Sequence, residues 1–369
     1  MTRADYIMIG GFLGAGKTTA MLRLAQHLRT RGRRVGLITN DQSQGLVDTT
    51  LARASGFPVR EITGGCFCCR FTSLTEAAEA LSAEARPDVF LAEPVGSCTD
   101  LRATVQYPLR RLYGDHYRIA PLSVLVDPIR ALRVLGLESG RAFSPKVQYV
   151  YEKQLDEADL IVINKVDLLD PSRLERLSDG LARRYPRAGV RAVSARAGIG
   201  LDEWFAVVED AESGAWSAPH VDYDTYAAGE ALLGWLNLTA RVVAERPFDG
   251  NRLLRDLAEA IQTQLVGQSL EVAHLKMTLT PDEGLGDLGV LNLVGSDRRA
   301  EQIHELDSAI RSGDLILNLR AEGAPDVLLD ASSDALAKVA APLGASLTVV
   351  HREHFRPGRP VPTHRFATV

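Results

Sequence analysis

Up to about residue 212 the chain repeats one pattern: a short, mostly apolar run followed by a stretch of helix length. The runs fall at residues 6–9, 35–39, 59–62, 89–92, 122–126, 160–163 and 190–193, and they are rich in Val, Ile and Leu. Such runs, lacking the polar alternation of a half-exposed sheet, suit strands covered on both faces. They predict an α/β domain over residues 1–212, a mostly parallel sheet flanked by helices. After the first run, residues 18–31 set Leu22, Leu24, Ala25 and Leu28 at helical spacing. In such a sheet ligands bind at strand ends, and the notable motifs of this chain do follow strand ends.

The pattern changes near residue 213. Residues 213–230 are polar and mixed, with Gly214 and Pro219, and read as a linker. From 231 to 369 a smaller α+β domain is expected, with a mostly antiparallel sheet. It looks duplicated: strand 235–244, helix 251–265 and strand 270–279 are echoed by strand 315–321, helix 333–343 and strand 346–350, with a further strand at 288–294. If so, His274 and His351 end equivalent strands and, with His354 close by, are candidates for a metal site or a docking surface, although a histidine at a strand end is more often plain polar surface. Residues 351–366 hold four arginines, three histidines and three prolines and read as an extended basic tail, a candidate docking segment.

Composition narrows the classes. A chain of 369 residues accommodates two domains, and 46% hydrophobic with 24% charged residues is ordinary for a globular protein. A net charge of −5 and a pI near 6.0 give no general electrostatic reason to bind nucleic acid. No apolar run approaches the roughly 18 residues of a membrane span. Met1 leads almost directly into the first strand, so no secretory leader is expected, and the expected compartment is the cytoplasm. Of the four cysteines, Cys66, Cys68 and Cys69 fall within four positions. A disulfide framework would spread them; this clustering suggests metal or redox chemistry.

Residues 10–19 read GGFLGAGKTT between the first strand and the first helix. This is a phosphate-binding loop, Gly-x-x-x-x-Gly-Lys-Thr, and it makes the domain a P-loop NTPase. Its glycines let backbone N–H groups converge on phosphate oxygens; Lys17 reaches the β/γ-phosphates and Thr18 holds Mg²⁺. Asn164-Lys165-Val166-Asp167 follows the sixth run. An Asp there accepts two hydrogen bonds from guanine N1–H and the 2-amino group, a pair that adenine lacks. Ser194-Ala195, after the seventh run, is expected to offer a backbone N–H to guanine O6. GTP and GDP are therefore the expected nucleotides. Glu93 and Gly96 close the fourth run; the carboxylate is placed to act on Mg²⁺ through water, and the Gly96 N–H to contact the γ-phosphate and lose it on hydrolysis. Asn40-Asp41 is the candidate first switch.

Gly64-Gly65-Cys66-Phe67-Cys68-Cys69 follows the third run, and its thiols offer two or three soft ligands to one ion. Without a second Cys-x-x-Cys this is not a closed structural zinc knuckle. An incomplete set suits a transfer site. Cys98, two residues past Gly96, is a candidate fourth ligand in one nucleotide state.

Together these motifs resemble the CobW-type metallochaperone GTPases, relatives of the nickel chaperones for urease and hydrogenase. The resemblance covers residues 1 to about 200. It implies a GTPase domain with a smaller C-terminal domain, slow GTP hydrolysis, and delivery of a metal such as zinc or cobalt to an unidentified client metalloprotein. By motif matching it implies Cys66, Cys68 and Cys69 as metal ligands, and Gly11, Gly14, Ala15, Gly16, Lys17, Thr18 and Thr19 as phosphate and Mg²⁺ binders. It likewise implies Glu93 and Gly96 as the switch and Asn164, Lys165 and Asp167 as guanine readers. Lys17, Glu93 and Gly96 are the expected catalytic group. Two departures stand out. The family's Asn-Glu-x-Gly is here Asn40-Asp41-Gln42-Ser43, and only His220 lies where many members carry a histidine-rich stretch. The cargo is expected to be Zn²⁺ or another transition metal, and self-association a homodimer dependent on nucleotide or metal. The rivals are a non-enzymatic metal and GTP sensor or scaffold, and a GTPase chaperone of a cobalamin enzyme.

Overall fold

The computed structural model describes residues 3–40, 47, 52, 55–284 and 286–368. The chain forms two compact units. The first comprises Met1–Gln42, Leu51–Gly229 and Arg359–Val369; the second comprises Ser43–Thr50 and Glu230–Gly358.

The first unit contains strands β1 (Ala4–Gly11), β2 (Val35–Asn40), β3 (Val59–Ile62), β4 (Val89–Glu93), β5 (Tyr117–Ile119), β6 (Ser123–Val126), β7 (Leu160–Ile163) and β8 (Gly189–Ala192). They order as β3-β2-β4-β1-β6-β7-β8, with β5 also on β1, and every pairing is parallel. The expected α/β sheet is thus present, and β5 is an addition too short for a sequence pattern to reveal. Ile7, Ile9, Leu37, Leu91, Leu125 and Val162 form one core with Met21, Leu24 and Leu28 of the helix Lys17–Thr30 and with Trp204, Phe205 and Val208 of the helix Leu201–Asp210. Each such side chain contributes about 1.5–3 kcal/mol when buried. Capping fixes where later helices begin. Asp127 and Asp170 accept from the N–H groups of Arg130 and Arg173, and Pro128 and Pro171 occupy the first helical positions. Because the strands are parallel, the segments after β1, β2, β3, β4, β7 and β8 leave the same edge of the sheet.

Part of the stretch expected as a linker is built into this unit. The Arg102 guanidinium lies 3.8 Å from the Trp216 ring centre and donates to Gly214 O, and Ser213 Oγ donates to Asp159. The helix Tyr223–Leu232 follows. Of the stretch 213–224, Ser213 is buried among partners of Arg102, while Ser217, His220, Asp222 and Asp224 stay exposed.

The second unit contains β9 (Leu233–Phe248), β10 (Glu271–Pro281), β11 (Gly289–Leu293), β12 (Glu301–His304), β13 (Ile310–Glu322) and β14 (Ala345–Phe355). Their order is β12-β11-β10-β13-β9-β14, all antiparallel. The two strand–helix–strand repeats interleave, as in a split βαβ arrangement. Alternate residues Leu236, Leu238, Ala240 and Val242 of β9 and Leu315, Leu317 and Leu319 of β13 meet Leu253, Leu257 and Ile261 of the helix Gly250–Gly267 and Leu328 and Ala335 of the helix Pro325–Ala340. The latter helix starts eight residues before the sequence pattern suggests, at Pro325. On the other face Asn318 accepts from the Val47 N–H and donates to Asn237.

This interleaving overturns one expectation. β13 and β9 lie between β10 and β14, so His274, opposite Arg320, and His351, opposite Thr239, are not brought together. His354 instead meets Asp326 at 3.0 Å. Residues 351–355 belong to β14 rather than to a tail, and only the segment from Arg359 onward leaves the second unit.

Candidate functional site

The phosphate loop is braced from outside. Gly16 precedes the helix Lys17–Thr30 at φ +88°, and a Cβ there would lie 2.4 Å from Asn164 Nδ2. Asn164 donates to Ala15 O at 2.9 Å, Lys165 Nζ to Gly14 O at 2.8 Å, and Arg130 to Leu13 O at 2.5 Å. Gly11 ends β1, and Thr18 and Thr19 stand in the first helical turn, with Thr19 exposed. The guanine motif and the phosphate loop are therefore one hydrogen-bonded body. Lys165 also pairs with buried Asp127 at 2.9 Å.

Asp167 sits on the short turn Val166–Leu168 with its carboxylate exposed, as base reading requires. Ser194 and Ala195 are buried beside it, but their N–H groups are already engaged: Ser194 donates to Ile199 O, and Ala195 donates to Asn164 Oδ1 at 3.0 Å. Arg23 fastens this turn by donating to the carbonyls of Ala195 and Arg196. The turn thus positions Asn164.

On the phosphate side, Thr18 Oγ1 donates to Glu93 Oε1 at 3.0 Å, and Lys17 Nζ lies 3.8 Å from the same oxygen. All three residues are buried. A Cβ on Gly96 would fall 2.8 Å from Leu13 Cδ2 and 3.0 Å from both the Leu13 backbone N and Lys17 Nζ, so a side chain there would press on the phosphate loop. Gln154, which the sequence does not single out, donates to Gly96 O at 2.9 Å and to Cys98 O at 2.8 Å. Just beyond, buried Glu157 accepts from Thr99 Oγ1 at 3.2 Å and from the Arg102 N–H at 2.9 Å. Burial raises the Glu157 carboxyl to about 8 against these hydrogen bonds.

The cysteine loop is set by the end of β2. Asn40 donates to Ile62 O at 3.0 Å and to Gly65 O at 2.8 Å, and accepts from the Phe67 N–H at 2.9 Å. The residue read as part of a first switch is thus the clamp of the thiol loop; its neighbour Asp41 lies outside the described residues. Within the loop, Cys66 Sγ lies 2.8 Å from Cys68 Sγ and 3.2 Å from Cys69 Sγ, and Cys68 lies 3.6 Å from Cys69. Ligands on a tetrahedral zinc ion stand about 3.8 Å apart for Zn–S of about 2.3 Å, so a small outward relaxation seats the ion. Contacts from Cys68, Cys69 and Cys98 hold the Cys66 thiol well below the usual thiol range, whereas contact with Cys66, together with burial, pushes Cys68 up and Cys69 up to about 11. One sulfur therefore gives up its proton most readily, and the other protons must leave when metal binds.

The segment Arg359–Val369 crosses this loop. Val361 N–H donates to Cys69 Sγ at 3.3 Å, Thr363 N–H to Cys68 O at 2.9 Å, and Thr363 Oγ1 to Cys69 O at 3.3 Å. His364 meets Phe71 edge-on at 5.1 Å. Arg365 pairs with Asp100 at 2.7 Å, and the Phe366 N–H donates to Ala103 O. Asp100 is fully buried at φ +65°, and burial raises its carboxyl although Tyr223 and Arg365 pull against it. Among the described residues, the trio Cys66, Cys68 and Cys69 is the only group of three or more His, Cys, Asp or Glu residues gathered closely enough to hold a metal.

A braced phosphate loop joined to an Asn-Lys-x-Asp turn defines a P-loop nucleotide-binding protein. The chain belongs to the CobW/HypB/UreG nucleotide-binding domain family, matched over residues 5–190. It is 31% identical to the zinc chaperone CobW of a Sinorhizobium species, over 49% of this chain and 56% of that protein. It is 29% identical to the zinc chaperone YeiR of Escherichia coli, over 48% of this chain and 50% of that protein. The matched stretches thus span about half the length of these relatives. Among solved structures it is similar to the Zn(II)-bound YjiA GTPase from E. coli, at 15% identity and a TM-score of 0.38, over 91% of this chain and 99% of that one. No helix among the described residues is long and apolar enough to cross a membrane.

Proposed function

We propose that this chain is a GTP-hydrolysing metallochaperone. It takes a soft transition-metal ion, zinc foremost, on Cys66, Cys68 and Cys69 and passes it to a client metalloprotein under the control of its nucleotide. The observation that carries this reading is the trio of sulfurs within 2.8–3.6 Å of one another. Their loop is clamped by Asn40 at the end of β2, the strand paired with β4, which ends in Glu93. The names of the relatives, zinc chaperones both, support zinc as cargo.

The nucleotide chemistry follows from the same loops. Lys17 and the positive end of the helix Lys17–Thr30 stabilise charge on the transferring phosphoryl group. The Thr18 hydroxyl and Glu93 carboxylate, two buried oxygens 3.0 Å apart, form the hard-oxygen pair that suits Mg²⁺. When bound, Mg²⁺ neutralises phosphate charge. Gly96 leaves room for the γ-phosphate beside Lys17, and Asp167 selects guanine. Four free cysteines suit a reducing compartment, and the cytoplasm is the setting proposed.

The experiment is a paired assay of the purified full chain: hydrolysis of GTP against ATP, and zinc passed to an apo-acceptor with and without GTP. Preference for GTP, with faster zinc transfer in its presence, is expected. The variant Cys66→Ser/Cys68→Ser/Cys69→Ser should lose zinc and keep GTP binding. Equal use of ATP and GTP, or unchanged zinc affinity in that variant, overturns the proposal.

A further inference from the structure

The backbone of the cysteine loop brings two thiols into bonding reach of each other. Cys66 O accepts from the N–H groups of Cys69 at 3.0 Å and Arg70 at 2.9 Å, so residues 66–69 form a closed turn just before the helix Phe71–Ala85. A turn closed in this way keeps its end Cα atoms within about 7 Å. Disulfides bridge Cα atoms roughly 4.4–6.8 Å apart. The Sγ atoms of Cys66 and Cys69 stand 3.2 Å apart. An approach of about 1 Å brings them to bonding distance.

The three thiols differ in access. Cys66 is 6% exposed and Cys68 1%, while Cys69 is only half-buried. A small solute therefore meets Cys69 first. Cys69 Sγ is in hydrogen-bonding contact with Cys66 Sγ and accepts from the Val361 N–H at 3.3 Å. A proton can cross the sulfur–sulfur contact, which puts the nucleophilic thiolate on the accessible atom. An accessible thiolate with a second thiol beside it is the arrangement of a reversible redox pair.

We propose that Cys66 and Cys69 are a peroxide-sensitive pair, which closes to a disulfide in the metal-free chain and reopens on reduction. The Cys69 thiolate attacks hydrogen peroxide. An S–O bond forms, the O–O bond breaks and hydroxide leaves, giving a sulfenic acid. The Cys66 sulfur then displaces that oxygen: an S–S bond forms and the S–O bond breaks. The two thiol protons and the two oxygens of the peroxide leave as two waters, so the thiols are oxidised by two electrons and the peroxide is reduced by two. Cys68 keeps its thiol, as does Cys98, which is 1% exposed and outside the gathered trio. A disulfide offers no thiolate to an ion, so the loop takes metal only when reduced. That consequence rests on the metallochaperone reading; the disulfide itself does not.

The metal-free full chain is treated with hydrogen peroxide, and its thiols are counted in denaturant with a chromogenic reagent. It should lose two of its four thiols, a non-reducing peptide map should join Cys66 to Cys69, and dithiothreitol should restore both. Cys68→Ser keeps the pair and should lose two thiols as well. Cys69→Ser should lose none at the peroxide concentration that closes the unsubstituted chain. Thermal melting confirms that each variant folds. The oxidised chain should take up zinc only after reduction, and uptake without it overturns the gating. A thiol count that stays at four, a bond from Cys66 to Cys68, a link between two chains, or oxidation that dithiothreitol does not reverse overturns the pair. A reduced chain that binds no zinc overturns the metallochaperone reading instead, and the thiol count then still decides the disulfide.

Discussion

The phosphate loop and the cysteine loop leave the same edge of one parallel sheet, yet they are held in opposite ways. The phosphate loop is gripped by residues distant in sequence: Asn164, Lys165 and Arg130 hold the carbonyls of Ala15, Gly14 and Leu13. Its shape exists before any ligand arrives, which spares the ordering cost of binding. The thiols are held largely by one another, under an asparagine clamp and a surface strap. A rigid cradle suits a nucleotide that must be read accurately. On the proposed function, thiols held by contacts among themselves suit an ion that is to be passed on.

The contrast breaks first at Gly16. Gly16→Ala sets a Cβ against the Asn164 amide at a φ that favours glycine, and strain of about 3 kcal/mol corresponds to a loss of ~100-fold or more in GTP affinity. Titration with a fluorescent GTP analogue measures this, and an affinity within a few-fold of the unsubstituted chain would show that the brace yields. Asn40→Ala removes all three clamp hydrogen bonds while sparing every thiol, so zinc affinity should fall ~10–100-fold with GTP affinity unchanged. A competition titration against a chelator decides whether the thiols hold themselves without it.

The next effect lies beneath the segment that follows β4. The Glu157 carboxyl rises from its ordinary 4.5 to about 8 in the folded chain, so the folded state binds the extra proton. Stability is therefore fullest below 4.5, declines as pH rises toward 8 and levels off above it, with a slope of at most about 1.4 kcal/mol per pH unit from this group. Glu157→Gln, whose amide can still accept from Arg102, should flatten this part of a urea-denaturation series; an unchanged slope would place the pH dependence elsewhere. The smallest effect is expected from deletion of residues 359–369, which cover the thiols but touch none of the nucleotide residues described. Zinc should dissociate a few-fold faster with GTP binding intact, and stopped-flow release to a chromophoric chelator reads it. An unchanged release rate would mean that the strap lies over the loop without guarding it.

Local chemistry made the phosphate loop, the Asn164–Asp167 turn that braces it and the thiol trio legible, because each needs particular residues at fixed spacing. Gly16 illustrates this: at φ +88° a Cβ would lie 2.4 Å from the Asn164 amide. The parallel sheet was legible from its apolar runs. Asn40 was visible but assigned a different task, since its partners lie 22 to 27 residues away across a strand pairing. Gln154 gave no signal, being one polar residue on an amphipathic helix. The pairing of His274 with His351 failed because strand order in the second unit is decided by how two repeats interleave, and neither repeat encodes that alone.

The strap also imposes a schedule. Val361 meets Cys69 across 292 residues of chain, with the whole 230–358 segment between them. At translation rates of ~5–20 residues per second, the thiol loop emerges from the ribosome roughly 15–60 s before the segment that covers it. Each newly made molecule thus passes through an interval in which its thiols are open to whatever ion or oxidant is nearby. On the proposed function, the first metal that a molecule carries is acquired during its own synthesis, before any nucleotide cycle begins.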